Sequence, residues 1–212
     1  MRGVAVMGIL LANIVAFALP QPAYFSPLAW GGTSPPDLAA WLANFVFVEG
    51  KLRGLFSFLF GASTLLVIER AEAAGDSPAK VHFARMTVLF LLGVAHMYLV
   101  WWGDILAHYA LVGAIAFLFR RMGSHQLFGA ATAALVTTMV WNSLGLAAMM
   151  HSAARDSPQA MAVWDNFAWA FGVPPRDWLL GEVAAMRGPW PQEIAWRWAY
   201  LEGPVRFLKA VG

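Results

Sequence analysis

Long uncharged apolar windows alternate with short polar segments along the chain. A membrane-crossing helix needs about 20 mostly apolar residues, because the hydrocarbon core is about 30 Å thick and each residue adds about 1.5 Å. Glu49, Gly50, Lys51 and Arg53 interrupt the second window, which indicates one long or broken helix there. The pattern predicts an all-α, polytopic transmembrane bundle with about five spanning helices, at 3–20, 38–69, 86–103, 105–119 and 126–150.

Lys and Arg are concentrated in alternate loops. The loops at 69–85 and 120–125 carry five of them, whereas 21–37 and 102–104 carry none. Because short loops rich in Lys and Arg stay cytoplasmic, this asymmetry predicts a cytoplasmic N-terminus. The first window could also be read as a signal peptide, but its basic region is the single Arg2, so we predict a retained helix.

The last third of the sequence changes in character. It holds six basic residues, six acidic residues and six of the eleven tryptophans, and prolines interrupt it repeatedly. Tryptophan is typical of the membrane interface, where its ring is apolar and its N–H can still find a partner. We therefore predict a transmembrane helical domain at 1–150 and an extracytoplasmic helical cap at 151–212.

Composition narrows the class of protein further. Hydrophobic residues make up 60% of the 212 residues and charged residues only 12%, about half the usual share in soluble domains. A soluble enzyme and a disordered chain are excluded, and the lack of cysteine excludes disulfides and thiolate metal sites. The histidines are too dispersed for a zinc motif. A net charge of +2 without a basic run argues against nucleic acid, so the predicted partner is the lipid bilayer.

Polar side chains at membrane depth are candidates for a functional site, because burying them in lipid is unfavourable. His96 lies 11 residues after Arg85, about 16 Å along a helix and near mid-membrane, where imidazole can carry a proton or act as a base. Asn13 lies 11 residues after Arg2 and could orient a substrate carbonyl. Either side chain could instead only join neighbouring helices by hydrogen bonds.

Two pairs with a spacing of four form the second group of candidates. Glu49 and Arg53 would share one helical face and pair, with Lys51 pointing elsewhere. Asp104 and His108 have the same spacing, so the carboxylate could fix the tautomer of the imidazole. Asp104 could also be an ordinary acid at a helix start.

Several stretches resemble the YeiB-like family of bacterial inner-membrane proteins, whose defining domain has unknown function. The similar segments are 2–13, 50–61, 93–96 and 102–110, in this order. The resemblance implies a multi-pass protein of the bacterial inner membrane. Members of that family are longer, which implies that this chain corresponds to an N-terminal portion, truncated before further membrane helices.

The YeiB-like family is in turn similar to transmembrane acyltransferases, which move an acetyl group from cytosolic acetyl-CoA to a sugar. The shared features are Arg2-Gly3, Asn13 and the segment 30–38. The acyltransferase histidine falls at Pro27, which cannot accept a proton, so acyl transfer needs His96 or His108 as the base.

These observations leave two hypotheses for function. The first is transmembrane group (acyl) transfer, or transport, of a small polar or acyl-donor substrate, with no cofactor indicated. The second is a noncatalytic membrane component, or an inactive fragment, whose polar residues only fix helix packing. The first hypothesis predicts His96, Asp104 and His108 as catalytic residues. It predicts substrate binding by Asn13, Glu49, Lys51 and Arg53.

Overall fold

The structure, a computed structural model, describes residues 2–154, 158, 161, 164–165 and 171–211. Arg155 and Asp156, two charged residues of the predicted cap, lie outside this part. All regular secondary structure in the described residues is helical, which confirms the predicted all-α class. The helices are α1 (Arg2–Ala18), α2 (Pro35–Ala43), α3 (Lys51–Ala73), α4 (Pro78–Leu99), α5 (Leu106–Ala116), α6 (Ser124–Ala153), α7 (Arg176–Met186) and α8 (Trp190–Val211).

Three stretches in the described part are long and apolar enough to cross a membrane: Pro35–Ala73, Pro78–Leu99 and Ser124–His151. The apolar stretch Leu106–Phe119 is shorter, and α1 has 17 residues. The predicted count of five crossings therefore stays a prediction. Large apolar side chains on these helices point outward, and Trp141 on α6 is 76% exposed. Such exposed apolar surface suits contact with lipid chains rather than water.

Of the two alternatives that the interrupted apolar window left open, the structure shows a broken helix over Pro35–Ala73. Proline at the first turn of α2 fits because those N–H groups have no helical partner. A π-helical turn follows at Asn44–Val48. Gly50 then takes a left-handed backbone conformation, with a φ of +76°, which glycine adopts without steric cost. The polar residues Lys51 and Arg53 lie at the start of α3, directly after this break.

The helices α4 and α5 approach each other closely at Gly93, beside the turn that carries Asp104. A Cβ atom on Gly93 would stand 2.2 Å from the backbone nitrogen of Ala107 and 2.8 Å from its Cα atom. Only a residue without a side chain allows this contact. The corner at 101–105 is therefore folded back against α4.

The helices α7 and α8 pack against the end of the bundle that carries this corner. The indole Nε1 of Trp190 donates to the Leu99 carbonyl at 3.3 Å, and the rings of Tyr98 and Trp198 lie 4.7 Å apart. The backbone N–H of Gln21, in the 3-10 turn Gln21–Tyr24, donates to Glu182 of α7 at 2.9 Å. We call this end of the bundle the capped end.

Candidate functional site

Glu49 and Arg53 form a polar cluster with Tyr24 at the capped end. Arg53 forms an ion pair with Glu49, which confirms the pairing predicted from their spacing. The guanidinium Nη2 also donates to the Tyr24 hydroxyl at 2.9 Å, and that hydroxyl donates to the Glu49 carboxylate. Burial, with the Glu49 carboxylate adding to it, raises the pKa of Tyr24 to about 12. Tyr24 therefore stays protonated and donates a hydrogen bond at neutral pH.

Lys51 does not join this cluster. Its ammonium group donates to the carbonyl of Val46 within the helix break. The structure thus separates Lys51 from Glu49 and Arg53, because successive residues at a helix start point in different directions.

A cavity of about 190 Å³ lies beside the cluster, between α1, the Gln21–Tyr24 turn and the 101–105 corner. Polar groups of Asn13, Tyr24 and Arg53 line it together with Gln21 and the two indoles of the corner. The complete lining is Ile9, Asn13, Ala16, Gln21, Tyr24, Phe25, Arg53, Trp101, Trp102, Gly103 and Ile105.

Two polar atoms in the lining residues have no hydrogen-bond partner within the part of the chain that the structure describes. They are the acceptor Oε1 of Gln21 and the donor Nε1 of Trp101, both of them buried. Gln21 as a whole is only 7% exposed. Buried polar atoms are usually paired, so these two are exceptions within the described residues.

A larger groove of about 1000 Å³ runs along α3 between α5 and α6. Its polar end is lined by Glu49, Arg53, Ser57, His108 and Tyr109, and the rest is mainly apolar. The hydroxyls of Ser57 and Tyr109 lie 2.6 Å apart. Arg53 lines both this groove and the smaller cavity.

Asp104 pairs with His96, and the predicted pairing of Asp104 with His108 is wrong. The Nδ1 atom of His96 lies 2.9 Å from Oδ1 of Asp104, and Oδ2 accepts the backbone N–H of Ala107 at 3.0 Å. The i,i+4 argument fails because α5 begins only at Leu106, so Asp104 precedes the helix. The alternative role of Asp104 at a helix start is therefore confirmed, together with a partner that spacing did not indicate.

His96 is in the last turn of α4, which ends at Leu99. Its predicted position near mid-membrane stays a prediction. The His96 side chain is 37% exposed, while that of Asp104 is 1% exposed.

Sequence reasoning missed Tyr24, Gln21 and Trp101 as members of the site. Their only signal is local: a glutamine and a tyrosine in a loop without Lys or Arg, and a tryptophan at a corner. Nothing in the sequence spacing brings them to Asn13, because the contacts join segments that are far apart in the chain. In the described residues no group of three His, Asp or Glu side chains is placed to hold a metal ion.

Comparison with known proteins gives relatives for part of the chain. It is 41% identical over 120 residues to the uncharacterized protein YeiB of Escherichia coli, covering 57% of this chain and 29% of YeiB. It is 38% identical over 129 residues to the uncharacterized protein YxaH of Bacillus subtilis, covering 57% of this chain and 31% of YxaH. The chain is homologous to YeiB and YxaH in this part. The predicted YeiB-like resemblance is thereby confirmed.

A third relative is the uncharacterized 39.9 kDa protein in the amylase 3′ region of Bacillus acidopullulyticus, at 32% identity over 123 residues. The chain spans about a third of the length of the curated relatives it matches, between 29% and 33%. No family model and no solved structure matches the chain.

Proposed function

We propose that this chain contributes a substrate cavity to a multi-pass protein of the bacterial inner membrane, which transfers an acyl group to a small polar substrate or transports that substrate. The observation that carries the proposal is the convergence of Asn13, Tyr24 and Arg53 on one cavity of about 190 Å³. Polar groups that converge on a pocket with aromatic walls are typical of small-molecule sites.

The size of the cavity favours a small substrate. The cavity is smaller than sites for drug-sized ligands, which span about 300 to 1,000 Å³. The neighbouring groove adds room for an apolar portion, such as the chain of an acyl donor, alongside Arg53.

His96, which pairs with Asp104, is the candidate base for acyl transfer, although it does not itself line the cavity. An ionised carboxylate only accepts hydrogen bonds, so Asp104 favours the tautomer with the proton on Nδ1 and leaves Nε2 of His96 as the acceptor. The ring of Trp101, a cavity residue, lies 6.5 Å from the imidazole of His96. The substrate oxygen would bond to the acyl carbon as the bond to the donor's leaving group breaks. For His96 to act as the base, the substrate would have to reach past Trp101 to Nε2, which would take the substrate proton and pass it to that leaving group.

Paired polar side chains give the noncatalytic hypothesis its support. Glu49 is already bonded to Arg53 and Tyr24, and Asp104 to His96 and Ala107. In that hypothesis these bonds only hold the corner and the break of the bundle together. The two hypotheses differ in whether the cavity binds anything.

Binding to the purified chain in detergent micelles tests the proposal. We expect at least one of acetamide, glycerol, acetate and ethylammonium to raise the unfolding temperature, because a ligand that binds only the folded state stabilises it. The shift should disappear in Asn13→Ala and in the double variant Glu49→Gln, Arg53→Gln, which removes the ion pair without leaving one charge unpaired.

The control variant is Arg70→Gln, which removes a positive charge from the other end of α3 and should keep the full shift. If none of the four compounds changes the unfolding temperature, or if the shift survives in both site variants, the substrate cavity is wrong and the noncatalytic hypothesis stands.

A further inference from the structure

An apolar pocket of about 830 Å³, which we call the α1–α2 pocket, lies between α1 and α2. None of the described residues lines both this pocket and the substrate cavity of the proposed function. We propose that the α1–α2 pocket holds one acyl chain of a phospholipid whose headgroup carries an ammonium group, and that this group binds at Asp37. The two sites are independent, since they share no side chain.

The walls of the α1–α2 pocket are apolar and open. Leu11, Val15 and Leu19 line it and follow one another at a spacing of four, so they form a single row along α1. Leu11 is 56% exposed, and Phe47, in the π-helical turn on the other wall, is 72% exposed. Side chains of the described part therefore do not cover these walls. Exposed apolar surface of this kind suits contact with a hydrocarbon chain.

The row on α1 is nearly as long as an acyl chain in one leaflet. Eight residues separate Leu11 from Leu19, which corresponds to about 12 Å along a helix. One leaflet contributes half of the hydrocarbon core, about 15 Å. Leu19 lies directly before the Gln21–Tyr24 turn at the capped end. The lipid would thus have its headgroup at the capped end and its chain along α1, directed away from that end.

Asp37 gives the α1–α2 pocket a negative charge at its rim. It is the one charged side chain among the described residues that line the pocket. It lies in the first turn of α2 and is exposed, so a ligand can reach it. The Ser34 hydroxyl donates to Oδ2, whereas Oδ1 has no partner within the described part of the chain. An ammonium group can donate a hydrogen bond to that oxygen and supply the opposite charge.

Two tryptophans, Trp30 and Trp41, line the same pocket. Trp41 follows Asp37 by four residues and shares its face of α2. The Trp41 indole Nε1 donates to the Tyr24 carbonyl at 3.2 Å, and its ring is stacked on Phe45 with 5.1 Å between the centroids. The indole is therefore held in place before a lipid arrives, which favours selective binding. Because tryptophan rings attract ammonium groups, the wall favours a headgroup with a cation over one that is only anionic.

Lipid titration of the purified chain in detergent micelles, followed by native mass spectrometry, tests the headgroup. Dioleoyl phosphatidylethanolamine and dioleoyl phosphatidylglycerol have the same acyl chains, and only the first carries an ammonium group. We expect the ethanolamine lipid to bind about two- to fivefold more tightly, which corresponds to one exposed ion pair.

Asp37→Asn should abolish this preference, because it removes the charge and keeps the shape of the side chain. The matched control is Asp177→Asn, also in the first turn of a helix and exposed, which should keep the preference. Equal affinity of the unmodified chain for the two lipids, or a preference that survives in Asp37→Asn, would overturn the assignment of the headgroup.

A matched pair of substitutions on α2 tests where the acyl chain lies. Ala40 lines the pocket and its neighbour Ala39 does not, although both are exposed. Ala40→Leu should weaken binding of the ethanolamine lipid by about fourfold or more, because the added side chain displaces at least one methylene group of the lipid. Ala39→Leu should leave the affinity unchanged. Equal affinity in these two variants would show that the chain lies elsewhere.

Two controls separate the lipid from other occupants. Free ethanolamine should not compete with the lipid at equal concentration, because it lacks the apolar chain that fills the pocket. Competition as strong as that of the lipid would indicate a soluble ammonium compound. A dimer of the purified chain that is lost in Ala40→Leu but not in Ala39→Leu would indicate that a second copy covers the pocket. Either result would contradict the proposal.

A thiol in the pocket wall gives a measurement that leaves Asp37 unchanged. Because the chain has no cysteine, Ala43→Cys introduces a single thiol there. The ethanolamine lipid should slow the reaction of this thiol with a small maleimide more than the glycerol lipid does. Equal protection by the two lipids, or none by either, would overturn the proposal.

Discussion

The Nδ1 atom of His96 and the Oδ1 atom of Asp104 lie 2.9 Å apart at the junction of α4 and α5, with the Asp104 side chain 1% exposed. The same carboxylate accepts the backbone N–H of Ala107, in the first turn of α5, through its second oxygen. One buried acidic residue thus joins an imidazole to a helix start, and both bonds depend on the corner folding back against α4.

The first prediction concerns this pair. His96→Gln should destabilise the folded chain by about 1–3 kcal/mol, because it removes a partner from the buried Asp104 carboxylate. Asp104→Asn should cost about 0.5–1.5 kcal/mol, because the His96 side chain that it affects is partly exposed. In a double-mutant cycle the two should be coupled by about 0.5–3 kcal/mol. Reversible unfolding in mixed micelles measures these values. Asp104→Asn combined with His108→Gln serves as the comparison and should be additive. Coupling to His108 instead of His96 would contradict the geometry.

Gly93 provides the second prediction. Gly93→Ala places a methyl group 2.2 Å from a backbone atom of Ala107, so α5 must move and the chain should lose about 1–3 kcal/mol of stability. The matched control is Gly129→Ala on α6, where a Cβ meets nothing within 4 Å. That change should be neutral or stabilise by up to about 1 kcal/mol, because alanine favours helix. Equal effects at the two sites would show that the close approach of α4 and α5 is absent in the protein.

The third prediction concerns how stability depends on pH through Glu182, which joins α7 to the Gln21–Tyr24 turn by a hydrogen bond. Burial raises the pKa of Glu182 from 4.5 to about 7, with the bond from the Gln21 N–H acting in the opposite direction. The folded state then binds more protons than the unfolded state between these values. The contribution of Glu182 to stability is therefore greatest below about pH 4.5, falls as the pH rises through 7 and levels off above it.

Thermal unfolding across this range measures the effect. In Glu182→Gln, which keeps a neutral side chain of the same shape, this component of the pH dependence should disappear. Its stability at pH 8 should exceed that of the unmodified chain. If unfolding of the variant and the unmodified chain follows the same pH profile, Glu182 does not ionise as the structure indicates.

The fourth prediction tests the orientation inferred from the loop charges. Single cysteines replacing Ala74, Gly123 and Arg176 introduce the only thiols in the chain. In intact cells an impermeant thiol reagent should label position 176 and neither of the others, because the loops rich in Lys and Arg remain cytoplasmic. Labelling at position 74 in intact cells would reverse the orientation. Lysed cells provide the control, since all three positions should then react.

The sequence by itself determined the features that depend on neighbouring residues. Apolar windows of bilayer length and the absence of strand patterns predicted an all-α membrane chain. The polar interruption at 49–53 predicted one long or broken helix, and the spacing of Glu49 and Arg53 predicted their ion pair. These conclusions hold because helix periodicity, hydrophobic length and i,i+4 contacts are properties of a single segment.

Only the tertiary structure decided which segments meet. Asp104 takes His96 as its partner because α5 starts two residues later and the corner folds against Gly93. Tyr24 reaches Glu49 from a separate loop. These contacts follow from how helices pack and where a chain turns, and residue spacing along one helix contains no information about either.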